Sequence, residues 1–422
     1  MTRLPVTFGR SMLSEWYLDP DYAYLNHGTV GATPRRVLDR QQSILEAIER
    51  HPADFLLRRL ANPMAVDWEG EPPLLRQTAV GVARYVGAAD LNGEAEGLAL
   101  VDNITSGANA VLGSLDIEEG DTLAVTNHGY GGVTNAVRRV AELAGASVQT
   151  ITLPSAGAPV EDFSDAFTEQ VQPGLRVMLI DHITSFSALV LPIADMVTHC
   201  RSVGVPVLVD GAHVPAQLPL DINGLGADWY TANLHKWAWT PRSSGFLWVA
   251  PQHRRAIHAP IVSWGLGNGL AAEFDLQGTR DPSGFLAIGE ALAFRDELGE
   301  DAIRAYNHDM AWSAAQRLSA AWGTPFTTPE QMVGSMVIVQ LPDVLGATSD
   351  DAERVRRHLY QEAHVEVPVF SPETESGASA CSTALSVRVS TQIYNDRSDI
   401  DRLETAIVDL TGQVMSTRQR AN

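Results

Sequence analysis

The feature that most constrains this chain is a rhythm in its middle. Short runs of apolar, β-prone residues alternate there with segments whose apolar residues recur every three or four positions. The runs are 98–101 (LALV), 122–125 (TLAV), 177–180 (VMLI), 205–209 (VPVLV) and 246–249 (FLWV). Runs this short, apolar at every position, predict strands buried on both faces. Between them, 132–144 and 193–203 carry helical spacing. Strand, helix and strand in alternation predict an α/β fold: a mostly parallel sheet with helices on both sides. After about residue 281 the texture changes. Long helices are expected over 285–298 and 301–322, strands over 335–340 and 384–390, and a closing helix over 398–415. The expected layout is a large α/β domain over 26–281 and a smaller α+β domain over 282–422. Residues 1–25 should pack with the smaller one.

Composition removes several classes of function. In 422 residues, 30 Lys and Arg stand against 51 Asp and Glu, a formal net charge of −21. Nucleic acid or an anionic membrane would be repelled over most of such a surface, so neither is expected as a partner. Cys200 and Cys381 cannot build a disulfide framework or a zinc-type cluster. The N-terminus has no uninterrupted apolar stretch of the secretory kind, and no run approaches the ~18 apolar residues of a membrane span. A reducing cytoplasm is the expected location. The 12 histidines show no paired metal-ligand spacing, so no metal is expected. The glycines from Gly265 to Gly269 lack both the spacing and the setting of a dinucleotide-binding turn.

Parallel α/β sheets bind ligands beyond the carboxyl ends of their strands, which directs attention to the residues after the apolar runs. Asp210 follows VPVLV. Lys236 lies in an aromatic stretch with Trp229, Trp237 and Trp239. Apolar surroundings disfavour an ammonium ion and lower a lysine's pKa, which makes its amine a usable nucleophile. The stretch 102–110 joins a strand to a helical segment through small residues. Such a turn can present backbone N–H groups to a phosphate, and plain capping by Thr105 or Ser106 explains the same residues equally well.

Taken in order, a phosphate-type turn, an Asp beyond a central strand and a lysine 26 residues later resemble the fold-type I pyridoxal-phosphate enzymes. The chain is similar to the class V aminotransferase family, nearest its isopenicillin N epimerase-like group and related to the cysteine desulfurases. The matching residues are Tyr24 to Gly28 (YLNHG), Asn127 to Gly131 (NHGYG), Asp181 to Ser185 (DHITS) and Asp210 to His213 (DGAH). Further matches are Asn233 to Trp237 (NLHKW), Gln277 to Pro282 (QGTRDP), and Arg388 to Ser390 with Tyr394 and Asn395. They span nearly the whole chain.

The resemblance implies pyridoxal 5'-phosphate as cofactor and a role for each matched residue. Lys236 would bond the cofactor aldehyde and later act as base, and Asp210 would keep the pyridine nitrogen protonated. Tyr130 would stack on the ring, with His128 as the fallback. Ser185 and His213 would lie near the phenolic oxygen. Gly107, Ala108 and Asn109 would offer N–H groups to the phosphate, helped by Asn233 and His235. Thr279 would reach the phosphate of the neighbouring subunit, which implies a homodimer. Arg388 would clamp the carboxylate of an amino-acid-type substrate. Epimerisation is the reaction the resemblance favours, and it needs an acid facing Lys236, for which His27 is the candidate. A Cβ–S lyase, a cysteine desulfurase using Cys381, an aminotransferase and a bond-forming enzyme of specialised metabolism stay open. A non-catalytic sensor of this fold is the remote alternative.

Overall fold

The computed structural model describes residues 7–61, 72–372 and 384–421. Twelve strands are present among them: β1 Ala23–Tyr24, β2 Leu98–Val101, β3 Thr122–Thr126, β4 Ser147–Ile151, β5 Val177–Asp181 and β6 Val207–Asp210. They continue with β7 Trp229–Asn233, β8 Gly245–Val249, β9 Met336–Gln340, β10 Val365–Glu366, β11 Val369–Phe370 and β12 Ser386–Ser390. Seven of them form the large sheet in the order β2-β8-β7-β6-β5-β3-β4. The run from β7 to β4 is parallel, and β8 is antiparallel to both of its neighbours. Every residue of β2, β5, β6 and β8 is buried, as the unbroken apolar runs predict.

Two strands of this sheet escape the periodicity. β4 (SVQTI) is an edge strand with one buried residue, so water, not a core, faces most of it. β7 (WYTAN) is buried throughout, yet it mixes aromatic with polar residues and offers no apolar run. The expected helix over 285–298 is two helices, Ser283–Leu286 and Ile288–Leu298, which meet at Ala287.

A second, three-stranded sheet has the order β11-β12-β9, all antiparallel. Its core gathers Val337, Val339, Val387 and Val389 with Leu318, Leu403 and Ile407, and Ala23 and Leu25 join it from the N-terminal segment. That segment is held by the parallel pair β1–β10 and by a bridge from Asn26 to Ser390. Ile288, Ala291, Phe294 and Ile303 lie in the larger core, so its packing continues past the expected join at 281–282.

The N-terminal segment also reaches the large sheet. Gly31 sits at φ +69°, and a Cβ there would lie 2.0 Å from the His235 carbonyl oxygen, so only glycine fits this crossing. Trp16, 1% exposed, donates its indole N–H to the Ala32 carbonyl at 3.1 Å and meets Trp239 and Tyr394 edge-on. The N-terminal segment is thereby fastened behind the lysine turn. Chain distant in sequence thus converges beyond the carboxyl ends of β5, β6 and β7.

Candidate active site

Asp181, Asp210 and Asn233 end three neighbouring parallel strands, with Asp181 opposite Asp210 and Asp210 opposite Thr231. A cavity of about 210 Å³ opens beyond them, lined in part by Tyr130, Asp181, Ser185, His213, His235 and Lys236.

Lys236 Nζ lies 3.0 Å from His213 Nε2, and Trp237 Nε1–H donates to His213 Nδ1 at 3.3 Å. The indole can only donate, so Nδ1 must accept and the imidazole proton sits on Nε2. Nε2–H therefore points at the lysine nitrogen, an arrangement that requires a neutral amine with a free lone pair. Burial, helped by the Arg388 charge, lowers the Lys236 pKa to about 7, against the pull of Asp210 and Asp181. His213 is held neutral by its own burial and by Lys236. Buried Arg295 steadies the turn that follows: it bonds the carbonyls of Trp237 and Ala216 and stacks 4.3 Å over the Trp239 ring. Trp239 adopts φ 63° there, a strained backbone that the arginine braces.

Asp210 is 1% exposed; its Oδ1 accepts from Ala212 N–H at 2.9 Å, and its Oδ2 has no partner. Burial raises its pKa to about 6. At the other end, the helix Ile104–Ser114 begins with Asn103 as its cap, accepting from Ser106 N–H, while Asn233 Oδ1 accepts from Ile104 N–H. His235 donates Nδ1–H to the Ser244 carbonyl and lines the cavity.

Gly107, Ala108 and Asn109, expected at the phosphate, do not line this cavity. Gly107 N–H already bonds the Asn103 carbonyl at 3.1 Å, and Ala108 and Asn109 lie deeper in the same helix. Only the first turn of a helix has free N–H groups, so Asn103, Ile104 and Thr105 line the cavity instead. Gly107 serves packing: a Cβ there would lie 2.2 Å from Thr231 Oγ1, so the glycine lets the helix settle on β7.

Tyr130 is 38% exposed and begins the helix Gly131–Ala144; its N–H bonds Asp181 Oδ1 at 3.3 Å. His128, the fallback, has both ring nitrogens engaged, by Ser187 at 2.7 Å and the Pro154 carbonyl at 2.9 Å, and does not line the cavity. Arg388 is 4% exposed. It donates to the Ser185 carbonyl at 2.6 Å and to Thr29 Oγ1 at 2.7 Å, while its Nε has no partner. Ser185 thus faces the guanidinium as well as the cavity. Thr29 is a site residue that sequence reasoning misses, since no local signal marks a contact spanning 359 positions. Asp181 stands out in the sequence only as part of a motif, although, like Asp210, it ends an apolar strand run.

His27 is fully buried and lies outside the cavity lining. Its Nε2 bonds the Lys236 carbonyl and its Nδ1 the Tyr394 hydroxyl, both at 2.8 Å, and burial lowers its pKa to about 3. It supports the lysine turn from behind and does not face the amine across the cavity. Thr279 is exposed and outside this cavity. Cys381 lies outside the described residues, and Cys200 is buried with its thiol pushed up to about 12.

The donor set fits one kind of ligand. A helix N-terminus suits a phosphate, an amine held neutral suits an aldehyde, and an unpartnered buried carboxylate suits a protonated ring nitrogen. The aminotransferase class-V pattern matches residues 77–403. L-cysteine desulfhydrase of Arabidopsis thaliana is 31% identical over 437 residues, covering 96% of this chain and 93% of that one. Isopenicillin N epimerase of Streptomyces clavuligerus is 30% identical over 414 residues, covering 94% and 96%. The apo structure of a cysteine desulfurase from Thermococcus onnurineus NA1 has the same fold, with a TM-score of 0.75, 14% identity and coverage of 97% and 99%. With that match over most of its length, the chain belongs to the aminotransferase class-V family of pyridoxal-phosphate enzymes.

Proposed function

We propose that this enzyme is a Cβ–S lyase acting on L-cysteine or a closely related β-thio amino acid. With L-cysteine and water it would yield sulfide, pyruvate and ammonia. The observation that carries this reading is the position of His27. Epimerisation needs an acid opposite the base, and the residue expected to supply it is enclosed behind the lysine turn. Elimination needs one base on one face. Lys236, its pKa lowered to about 7 and its amine next to His213, is suited to that work.

When bound, pyridoxal phosphate supplies an aldehyde for amines and a ring that takes up the electron pair left by a broken Cα bond. Asp210 Oδ2 holds the ring nitrogen, and the first turn of the helix Ile104–Ser114 holds the phosphate with Asn233 and His235 nearby. Arg388 turns its unpartnered Nε–H to the substrate carboxylate, exchanging its bond to Thr29 or Ser185 for a two-point grip. Lys236 takes the Cα proton and, as the ammonium ion, returns it to the thiolate leaving Cβ. Tyr130 covers the opposite face. Thr279 acts on the neighbouring site of a homodimer, and the enzyme works in the cytoplasm.

Incubation of the holoenzyme with L-cysteine tests this directly. Sulfide and pyruvate in equal amounts support it, and neither appearing overturns it. Isopenicillin N-type epimerisation is the second reading, and Tyr130 favours it as the half-exposed hydroxyl-bearing ring at the cavity. Tyr130→Phe separates the two: it abolishes inversion in an epimerase and leaves sulfide release largely intact in a lyase.

A further inference from the structure

Asp181 has no place in that mechanism, yet it is 2% exposed, lines the cavity, and leaves its Oδ2 without a partner. It stands directly opposite Asp210 on the neighbouring parallel strand, where side chains project from the same face. The groups facing the pair are few. Lys236 comes from the turn after β7; Tyr230, on β7, lies beside Asp210 with its hydroxyl bonded to His182; and His213 is neutral and committed to Trp237 and Lys236. Among the described residues, two carboxylates therefore face one amine, Lys236, whose own pKa is lowered to about 7. With the cofactor held by Lys236, a protonated ring nitrogen would be the cation for Asp210 to pair with.

We propose that Asp181 is a positioning residue held as a neutral carboxylic acid in the holoenzyme: its Oδ1 anchors the backbone of Tyr130, and the negative charge of the pair resides on Asp210. Adjacent buried carboxylates cannot both ionise against one cation, so one keeps its proton. The hydrogen bonds decide which. Asp210 Oδ1 accepts from Ala212 N–H at 2.9 Å, which favours its charged form, whereas Asp181 Oδ1 accepts from Tyr130 N–H at 3.3 Å. Burial and the neighbouring Asp210 both push the Asp181 pKa well above the ordinary carboxylate range. The anchor matters because Tyr130 is the ring that would cover the cofactor. One carboxyl group thus links the position of the covering ring to the charge under the ring nitrogen, whichever reaction the enzyme performs. The assignment rests on the reading of Asp210 as the nitrogen's partner.

The test is isotope-edited infrared spectroscopy of the holoenzyme labelled with ¹³C-aspartate, together with cofactor affinity. At pH 7 the wild type should show the carbonyl band of a buried protonated carboxylic acid, and Asp181→Asn should remove it. Asp181→Asn, neutral and of the same shape, should weaken cofactor binding by no more than about threefold. Asp181→Ala releases Tyr130, should weaken binding roughly tenfold, the worth of one buried hydrogen bond, and should reduce the circular dichroism of the bound cofactor. No carbonyl band in the wild type, a band that survives Asp181→Asn, or an Asn variant as weak as the Ala variant overturns the proposal. Asp210→Asn tests the underlying reading separately. A loss of roughly a hundredfold in kcat supports it, and an unchanged kcat overturns it whatever the infrared band shows.

Discussion

The two ends of the cavity are built differently. At the cofactor end, one short stretch of chain supplies most of the chemistry, and nearly every polar group is fixed by a neighbour. Trp237 sets the His213 proton, Arg295 braces the turn, and Asn103 and Asn233 cap the helix. At the substrate end the groups come from three remote places, Thr29, Ser185 and Arg388, and the guanidinium keeps one N–H without a partner. A preset end suits chemistry common to a family, and an end assembled from distant chain can change with the substrate. The difference explains why the cofactor follows directly from family membership while the reaction has to be argued.

Substitutions at each end should break this contrast in different ways. Lys236→Ala should have the largest effect. Removing the base should lower sulfide release by roughly a thousandfold or more, and borohydride should no longer fix the cofactor mass on the chain. Arg388→Lys strikes the substrate end. A point charge cannot reproduce the two-point grip, so KM for L-cysteine should rise roughly tenfold to a hundredfold while cofactor affinity changes little. An equal loss of cofactor affinity would show that the two ends are not separable. Trp237→Phe keeps an aromatic ring and removes the indole N–H, freeing His213 to carry its proton on Nδ1 instead. A loss of kcat of about fivefold, with the fold intact by circular dichroism, is expected.

The pH dependence of cofactor capture gives the smallest effect and the sharpest statement about the preset end. The apoenzyme captures the aldehyde through a neutral amine, and Lys236 carries a pKa lowered to about 7. Deprotonation rises with pH, so capture should accelerate through pH 7 and level off above it. An ordinary lysine would keep accelerating to about pH 10.

What the sequence makes legible follows the same division. The strands at 98–101, 177–180 and 246–249 are visible because they are buried on both faces, which demands apolar residues at every position. β4 stays hidden because its edge position asks for no such pattern. Asp210 and Lys236 are legible because each sits within a few residues of a strand end, so local order places them. Which N–H groups of the helix stay free is not legible at Gly107, because hydrogen bonding from Gly107 to Asn103, not composition, sets where the helix begins. The arrangement of Thr29, Ser185 and Arg388 depends on the bridge from Asn26 to Ser390, a pairing of the two chain extremes that no short motif announces. His27 illustrates the limit best. Its motif places it near the lysine, and only the folded chain shows it behind the turn, bonded to the Lys236 carbonyl.

Everything above turns on one base, Lys236, working on one face of the substrate. L-alanine probes this most directly, because it carries an α proton and no group to expel from Cβ. Incubated with the holoenzyme in D2O, it should exchange its α hydrogen for deuterium and remain L-alanine. Accumulation of D-alanine would reveal an acid on the opposite face and contradict a one-base lyase.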